Sequence, residues 1–159
     1  MPKIVPFLWY DGQAEAAANF YIGLLPDSRV DRIMRYPDSG PPGLAGTVLT
    51  VKFTLAGQPY VAMNGGPLYR FNEAVSFQIL CSDQAEVDHL WNSLTADGGS
   101  PVQCGWLKDR WGLSWQITPY RLMELMHDPD PARAGRAMQA MMGMTKIDIA
   151  ALERAVDGA

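Results

Sequence analysis

The first seventy residues carry four strand-like hydrophobic patterns and one helical pattern. Apolar runs and alternation predict strands at 4–10, 29–36, 47–55 and 60–63. Between the first two strands, apolar residues recur three and four positions apart, which predicts a helix over 13–25. These residues are Ala17, Phe20, Tyr21 and Leu24. The predicted order of elements is therefore β-α-β-β-β.

The same order of patterns recurs in the second half of the chain. Asp83, with Glu86 three residues later, resembles a capping box that starts a helix. The apolar residues of that helix share one face: Val87, Leu90, Trp91 and Leu94. The flanking patterns predict strands at 75–81, 102–108, 113–118 and 122–126. An internal duplication of this kind indicates two related modules.

These patterns predict an α+β fold in which two βαβββ modules form a curved mixed sheet around a cleft. We expect a single domain over 1–159, with module one at about 1–66 and module two at about 73–128. Tail helices follow at about 131–157, where the apolar pattern divides into helices at 132–144 and 147–156.

Length and charge narrow the possible partners. The 159 residues carry a net charge of −4 and no basic stripe, so neither nucleic acid nor an anionic membrane surface is expected. No apolar run approaches the roughly 18 residues that span a bilayer, and no signal-peptide pattern opens the chain. The two cysteines then favour a cytoplasmic protein with free thiols.

Five longer stretches resemble one family. They are PFLWYDGQAEAAANFY at 6–21, YVAMNGGP at 60–67, EAVSFQILCSDQAEVDHLW at 73–91, CGWLKDRWGLSWQITP at 104–119 and AMQAMMGMTKIDIAALERA at 137–155. In this order they resemble the PhnB-like family of the vicinal-oxygen-chelate superfamily, which comprises the glyoxalase, bleomycin-resistance and dihydroxybiphenyl dioxygenase-like proteins. The resemblance implies a homodimer that binds a small molecule.

The resemblance also locates the metal-ligand positions of the superfamily. Metal-using relatives place His or Glu at four positions, one on each of four strands. In this chain the positions fall at these residues: Val5 or Pro6, Met63 or Asn64, Ser76, and Gln116. Uncharged amide and hydroxyl oxygens are poor ligands for zinc, nickel or iron, so we expect no metal and no other cofactor.

Proteins of this appearance sometimes carry the description of a demethylubiquinone methyltransferase. A site for S-adenosylmethionine commonly uses a glycine-rich turn between a strand and a helix. The glycines of this chain fall in hairpins and loops instead. The sequence therefore does not favour methyl transfer.

Four other residues could carry chemistry. His89, in the second predicted helix, is either a solvated residue or an acid–base group, and His127, at the end of the last predicted strand, has the same two interpretations. Cys81 should face the helix as inert core. Cys104, in the strand that contains CGW, is either structural or a reactive thiol. The chain has no HExxH, CxxC, GxSxG or Walker motif.

Strand alternation predicts a ligand-binding face. Amides and hydroxyls of module two would orient a small molecule that is planar or partly apolar, while aromatic rings bury it. The expected ligand-binding residues are Trp9, Asn64, Ser76, Gln78, Cys104, Trp106, Ser114 and Gln116. The alternative for the tryptophans is a purely structural role in the core and interfaces.

Three functions fit these observations. The first is a metal-free homodimer that binds a small molecule, with catalytic residues unknown. The alternative is a metal-dependent lyase, isomerase or dioxygenase that takes ligands from Glu73, Glu124 or His127. The third is an interaction module that works through a methionine strip in the tail, although the strip could equally pack in the core. The strip comprises Met138, Met141, Met142 and Met144.

Overall fold

The first half of the chain folds into a four-stranded sheet with one helix. The computed structural model describes residues 2–158. Its first elements are β1 (Phe7–Tyr10), α1 (Ala14–Ile22), β2 (Arg29–Arg35), β3 (Val48–Leu55) and β4 (Gln58–Asn64). The strands lie in the order β1-β4-β3-β2, with β1 parallel to β4 and the other pairs antiparallel. This confirms the predicted β-α-β-β-β order.

An aromatic stack holds α1 against this sheet. Tyr21 of α1 stacks on Phe53 of β3 with ring centroids 6.3 Å apart, and Phe53 stacks on Tyr60 of β4 at 5.4 Å. Tyr21 is fully buried, and its hydroxyl oxygen lies 3.0 Å from that of Tyr10. The two phenols therefore satisfy one another inside an apolar core.

The second half repeats the topology and adds three helices. Its elements are β5 (Ser76–Cys81), α2 (Gln84–Thr95), β6 (Ser100–Pro101), β7 (Trp106–Lys108), β8 (Ser114–Pro119), α3 (Tyr120–Met126), α4 (Pro131–Met142) and α5 (Ile149–Val156). The strand order is β5-β8-β7-β6, and β5 is parallel to β8. The predicted tail helices are confirmed with shorter bounds.

The predicted cap of α2 is present. The Asp83 carboxylate accepts the Glu86 backbone N–H at 2.9 Å, and the Glu86 carboxylate accepts the Ser82 N–H at 2.7 Å. Two of the donors at the start of the helix are thus satisfied by side chains. The four apolar residues that the sequence places on one face are all buried: Val87, Leu90, Trp91 and Leu94.

The prediction of a last strand at 122–126 is wrong, because this segment forms α3. Leu122 and Leu125 are buried three residues apart, which is a helical spacing rather than alternation. The strand that completes the module is instead the two-residue β6, which precedes β7 in the chain and pairs with it. The predicted strand at 102–108 is correspondingly shortened to β7, since residues 103–105 form a turn.

A buried carboxylate organises the connection between β7 and β8. Asp109 is 2% exposed, and its Oδ1 accepts the backbone N–H groups of Trp111 and Leu113 at 2.9 and 3.0 Å. Its Oδ2 accepts the indole N–H of Trp115 at 3.0 Å. One side chain therefore fixes both the turn and the largest core residue of β8, through charge-assisted hydrogen bonds.

The tail is attached to α2 and to the turn before β7 by backbone and side-chain bonds. The Gln84 amide oxygen accepts the Ile149 N–H at 2.9 Å, and its nitrogen donates to the Ile147 carbonyl at 3.0 Å. The Cys104 N–H donates to the Met144 carbonyl at 2.8 Å. Helices α3, α4 and α5 then bury a shared apolar cluster of Leu122, Leu125, Ala137, Ile147, Leu152 and Val156.

The described chain divides between Arg70 and Phe71 into two units, here called unit one and unit two. Each contains one βαβββ module, and unit two also contains the tail. The expectation of a single domain with a cleft between its modules stays a prediction. Among residues 2–158, no helix combines the length and apolar character needed to cross a membrane.

Replacing the buried Asp109 tests its organising role. We expect Asp109→Ala to lower the free energy of unfolding by about 3–5 kcal/mol, because three N–H donors lose a charged acceptor and two of those bonds are buried. Asp109→Asn keeps the acceptor for the turn and should cost about half as much. Urea denaturation followed by tryptophan fluorescence measures both losses.

The matched control is Asp157→Ala, in the same unit. Asp157 is exposed and forms a surface ion pair with Arg133 at 3.2 Å, so its loss should cost less than about 1 kcal/mol. Equal losses for Asp109→Ala and Asp157→Ala would contradict the organising role.

Candidate functional site

Five of the eight expected binding residues lie together on one face of the second sheet. Ser76 and Gln78 of β5 pair in register with Ser114 and Gln116 of β8, and Trp106 of β7 pairs with Gln116. Since residues paired in register share a face, all five lie on the side opposite Trp115 and Ile117, which are buried on β8. We call this side the polar face, and its residues are Ser76, Gln78, Leu80, Ser100, Trp106, Lys108, Ser114, Gln116 and Thr118.

Two diagonal hydrogen bonds cross the polar face. The Gln116 Nε2 donates to the Ser76 Oγ at 2.9 Å. The Gln78 Nε2 donates to the Thr118 Oγ1 at 3.1 Å. Each bond leaves a glutamine carbonyl and a hydroxyl proton available to a further group. Thr118 is missing from the sequence-based set, although its alternation with Ser114 and Gln116 is a signal that could have found it.

The polar face is electrically neutral. Lys108 is the one charged side chain that the described strands of this sheet place there, and its Nζ donates to the Glu73 Oε1 at 2.9 Å. The hydrogen bond from Lys108 lowers the pKa of Glu73 below its ordinary value. Both side chains are substantially exposed, so this pair contributes little to stability.

Ser114 stands out in the middle of this face. It is 1% exposed, and its Oγ has no hydrogen-bond partner among residues 2–158. Its in-register neighbours are Ser76 on one side and Lys108 on the other. A buried hydroxyl without a partner lowers stability and calls for an explanation.

Trp9, in unit one, is held by the loop that follows β4. Its indole N–H donates to the Gly66 carbonyl at 2.8 Å. A Cβ at Gly65 would lie 2.4 Å from the Trp9 ring, so this position admits only glycine. Tyr69 meets the same ring edge-on, with centroids 4.9 Å apart. The structure thus gives Trp9 a structural role, and its predicted ligand-binding role stays a prediction.

Asn64 has a similar structural role in unit one. Its Oδ1 accepts the Ala14 N–H at the start of α1 at 2.9 Å, and its Nδ2 donates to the Val48 carbonyl at 3.1 Å. The side chain also borders a cavity of about 440 Å³ whose wall includes Asp11, Glu15 and Tyr36. Its predicted role in ligand binding is likewise untested.

Cys104 is not on a strand, contrary to the prediction. It lies in the turn before β7 with φ +60°, and the following Gly105 also has a positive φ. Its position is set by the tail, since its N–H bonds to Met144. Cys81, in contrast, is buried as predicted, and desolvation raises the pKa of its thiol to about 12. A thiol with this pKa is inert at neutral pH.

The alternative metal ligands are engaged elsewhere. Glu124 pairs with Arg121 at 3.1 Å, while Glu73 pairs with Lys108. His127 caps the end of α3 rather than a strand, and its Nδ1 lies 2.7 Å from the Met123 carbonyl oxygen. Within the described part of the chain, no three residues among His, Cys, Asp and Glu are grouped so that they could hold a metal ion.

The metal ion that the superfamily implies does not fit the residues present. At two of the mapped ligand positions, Ser76 and Gln116 supply uncharged donors that are bonded to each other, and zinc or iron would need charged or imidazole ligands. A cofactor site at a glycine-rich strand-to-helix turn is equally unsupported. The turn before α1 has one glycine, Gly12, and residues 82–83 before α2 contain none.

The comparisons with known proteins agree with this topology. A family model described as 3-demethylubiquinone-9 3-methyltransferase matches residues 2–118. A PhnB protein of Bacillus cereus, described as an enzyme of that name, is 34% identical with a TM-score of 0.67, covering 74% of this chain and 99% of its own. None of the curated proteins matches.

Two further solved structures share the fold at lower identity. A Pseudomonas aeruginosa protein is 21% identical with a TM-score of 0.62, covering 75% of this chain and 98% of its own. The fosfomycin resistance protein FosX of Listeria monocytogenes is 11% identical with a TM-score of 0.50, covering 75% and 93%. With two βαβββ modules and a family model that spans most of its length, the chain belongs to the PhnB-like family of the glyoxalase/bleomycin-resistance/dioxygenase superfamily.

Proposed function

We propose that this protein is a metal-free, homodimeric small-molecule-binding protein of the glyoxalase/bleomycin-resistance type. The observation that carries the proposal is the 2.9 Å hydrogen bond between Gln116 and Ser76. These residues stand at positions where metal-using relatives carry Glu and His. In place of two metal ligands, the chain has a donor and an acceptor that satisfy each other.

The chemistry of this pair argues against a cation. A divalent ion would have to break the bond between the two side chains and would gain only neutral oxygens, without the charge that offsets its dehydration. The described strands of the polar face also carry no carboxylate that could attract the ion. A neutral organic molecule has no such cost to overcome.

The proposed binding surface is the polar face of unit two. Its amides and hydroxyls fix an orientation, and the half-buried Trp106 offers aromatic area for burial. We keep Trp9, Asn64 and Cys104 in the proposed binding set, as the resemblance suggests. Both cysteines are free thiols, which supports the proposed cytoplasmic location.

We do not extend the methyltransferase description of the family model to this chain. Methyl transfer needs a site for the methyl donor, and the residues before α1 and α2 lack the glycine-rich turn that commonly cradles one. No group on the polar face is placed to act as a base for an attacking hydroxyl, since Lys108 is ion-paired with Glu73.

The tail supports the proposed homodimer. The methionine strip divides in two: Met141 and Met144 pack on the apolar cluster of their own unit, whereas Met138 and Met142 are 47% and 64% exposed. Exposed apolar side chains on one helix are typical of a surface that is covered in an assembly. A two-fold interface would use such a surface twice.

Metal retention tests the proposed function. After incubation with zinc, nickel, manganese and iron(II) and removal of free ions, we expect elemental analysis to find far less than one metal per chain. The matched control is the double variant Ser76→His with Gln116→Glu, which restores the ligand types and should retain more metal. Near-stoichiometric metal on the unaltered protein would contradict the proposal.

Substitutions that introduce charge at the exposed methionines test the proposed homodimer. We expect light scattering to give the mass of a dimer for the unaltered protein. The double variant Met138→Glu with Met142→Glu should be a monomer, because two carboxylates would have to be buried in the interface. Gln139→Glu, on the same helix, is the control that should remain dimeric. A dimer that survives the double variant would exclude this surface.

A further inference from the structure

The hydroxyl of Ser114 is the one feature of the polar face that the fold does not explain. Its neighbours on the face form two mutual hydrogen bonds, yet Ser114 Oγ is buried with no partner among the described residues. In the free protein this hydroxyl contributes nothing that an alanine would not contribute, and its desolvation has a cost. Such a residue is explained if its partner is a ligand.

We infer that Ser114 is a binding residue and that the ligand is an uncharged planar molecule that carries adjacent hydrogen-bond donor and acceptor groups, as an aromatic lactam does. The inference rests on the proposed function, since it concerns the same face. It adds the chemical class of the ligand and a residue that determines it.

The hydrogen-bond donors and acceptors of the polar face indicate this class of ligand. The side-chain carbonyl oxygens of Gln116 and Gln78 have no hydrogen-bond partner within residues 2–158, so they can accept a hydrogen bond from a ligand. The hydroxyl protons of Ser76 and Ser114 can be donated. The Gln116 side chain reaches diagonally from β8 to Ser76, which pairs in register with Ser114. A ligand with a donor and an acceptor on neighbouring atoms can therefore meet the Gln116 carbonyl and the Ser114 hydroxyl together.

The charge of the face excludes an ionic ligand. Lys108 is already paired with Glu73 at 2.9 Å, so an anion would have to displace that carboxylate, and a cation would meet no free carboxylate on these strands. A charge buried without a partner is costly. A neutral heteroaromatic ring has no such penalty, and it can lie against the indole of Trp106.

Lys108, the in-register neighbour of Ser114, is the side chain whose movement would open access to its hydroxyl. Lys108 pairs with Ser114 across β7 and β8, and its own ion pair is 37% and 61% exposed at its two side chains. An exposed pair of this kind is held by less than about 1 kcal/mol. Lys108 can therefore swing outward at little cost when a ring enters beside it.

The test uses the full-length protein, the probe 2-quinolone and its ring analogue quinoline, which lacks the lactam. We expect the unaltered protein to bind 2-quinolone more tightly than quinoline, measured by tryptophan fluorescence or calorimetry. Ser114→Ala should weaken 2-quinolone binding about 5–10-fold, the loss expected for one or two hydrogen bonds. It should leave quinoline binding nearly unchanged.

The melting temperature Tm of Ser114→Ala is the second measurement. Because Ser114→Ala removes an unpartnered buried hydroxyl, we expect Tm to stay level or rise by roughly 1–3 °C. Ser93→Ala, on α2 away from the polar face, is the control that should leave the affinity for 2-quinolone unchanged. A fall in Tm for Ser114→Ala would show that the hydroxyl is partnered and would overturn the inference.

The failures of the two proposals are distinguishable. Retained metal overturns the proposed function. A metal-free protein that prefers quinoline, or that binds both probes equally, leaves the proposed function standing and overturns the ligand class. An affinity for 2-quinolone that Ser114→Ala does not change overturns the role of Ser114.

Discussion

The parallel pairing of the first and last strands of each module is the constraint on which the rest of the structure depends. β1 pairs with β4, and β5 with β8. A parallel pair cannot be closed by a tight turn, so each module must place a helix and two strands between its members. The pairing also brings side chains from distant parts of the sequence onto one face. Ser76 and Gln116, forty residues apart, meet in this way.

The two faces of the second sheet carry different kinds of side chain. On the inner face, Trp115 and Ile117 are buried, and the Asp109 carboxylate holds the indole and the preceding turn. On the other face, glutamine and hydroxyl side chains bond diagonally and carry no net charge. The superfamily fold is thereby kept, and Ser76 and Gln116, at the positions that the resemblance assigns to metal ligands, form a hydrogen-bonded pair. Core packing lies on one side of the same three strands, and the polar face lies on the other.

Local patterns predicted most of the fold, and five of the eight proposed binding residues share one face of the second sheet. The cap of α2 and the alternation along β8 are encoded within a few residues, so the sequence revealed both. The segment 122–126 was mistaken for a strand, because five residues with four apolar members fit a strand and one helical turn alike. The strand placement of Cys104 was wrong for another reason: its backbone N–H bonds to Met144, forty positions away. The unpartnered state of Ser114 is a property of the folded neighbourhood, so no sequence pattern could reveal it.

The central claim is that Ser76 and Gln116 form a hydrogen-bonded pair and do not act as metal ligands. The side-chain amide signals of Gln116 in ¹H–¹⁵N spectra, assigned by their loss in Gln116→Leu, report on this pair directly. We expect Ser76→Ala to shift these signals and excess zinc to leave them in place. Zinc-dependent shifts of the Gln116 amide would contradict a metal-free pair.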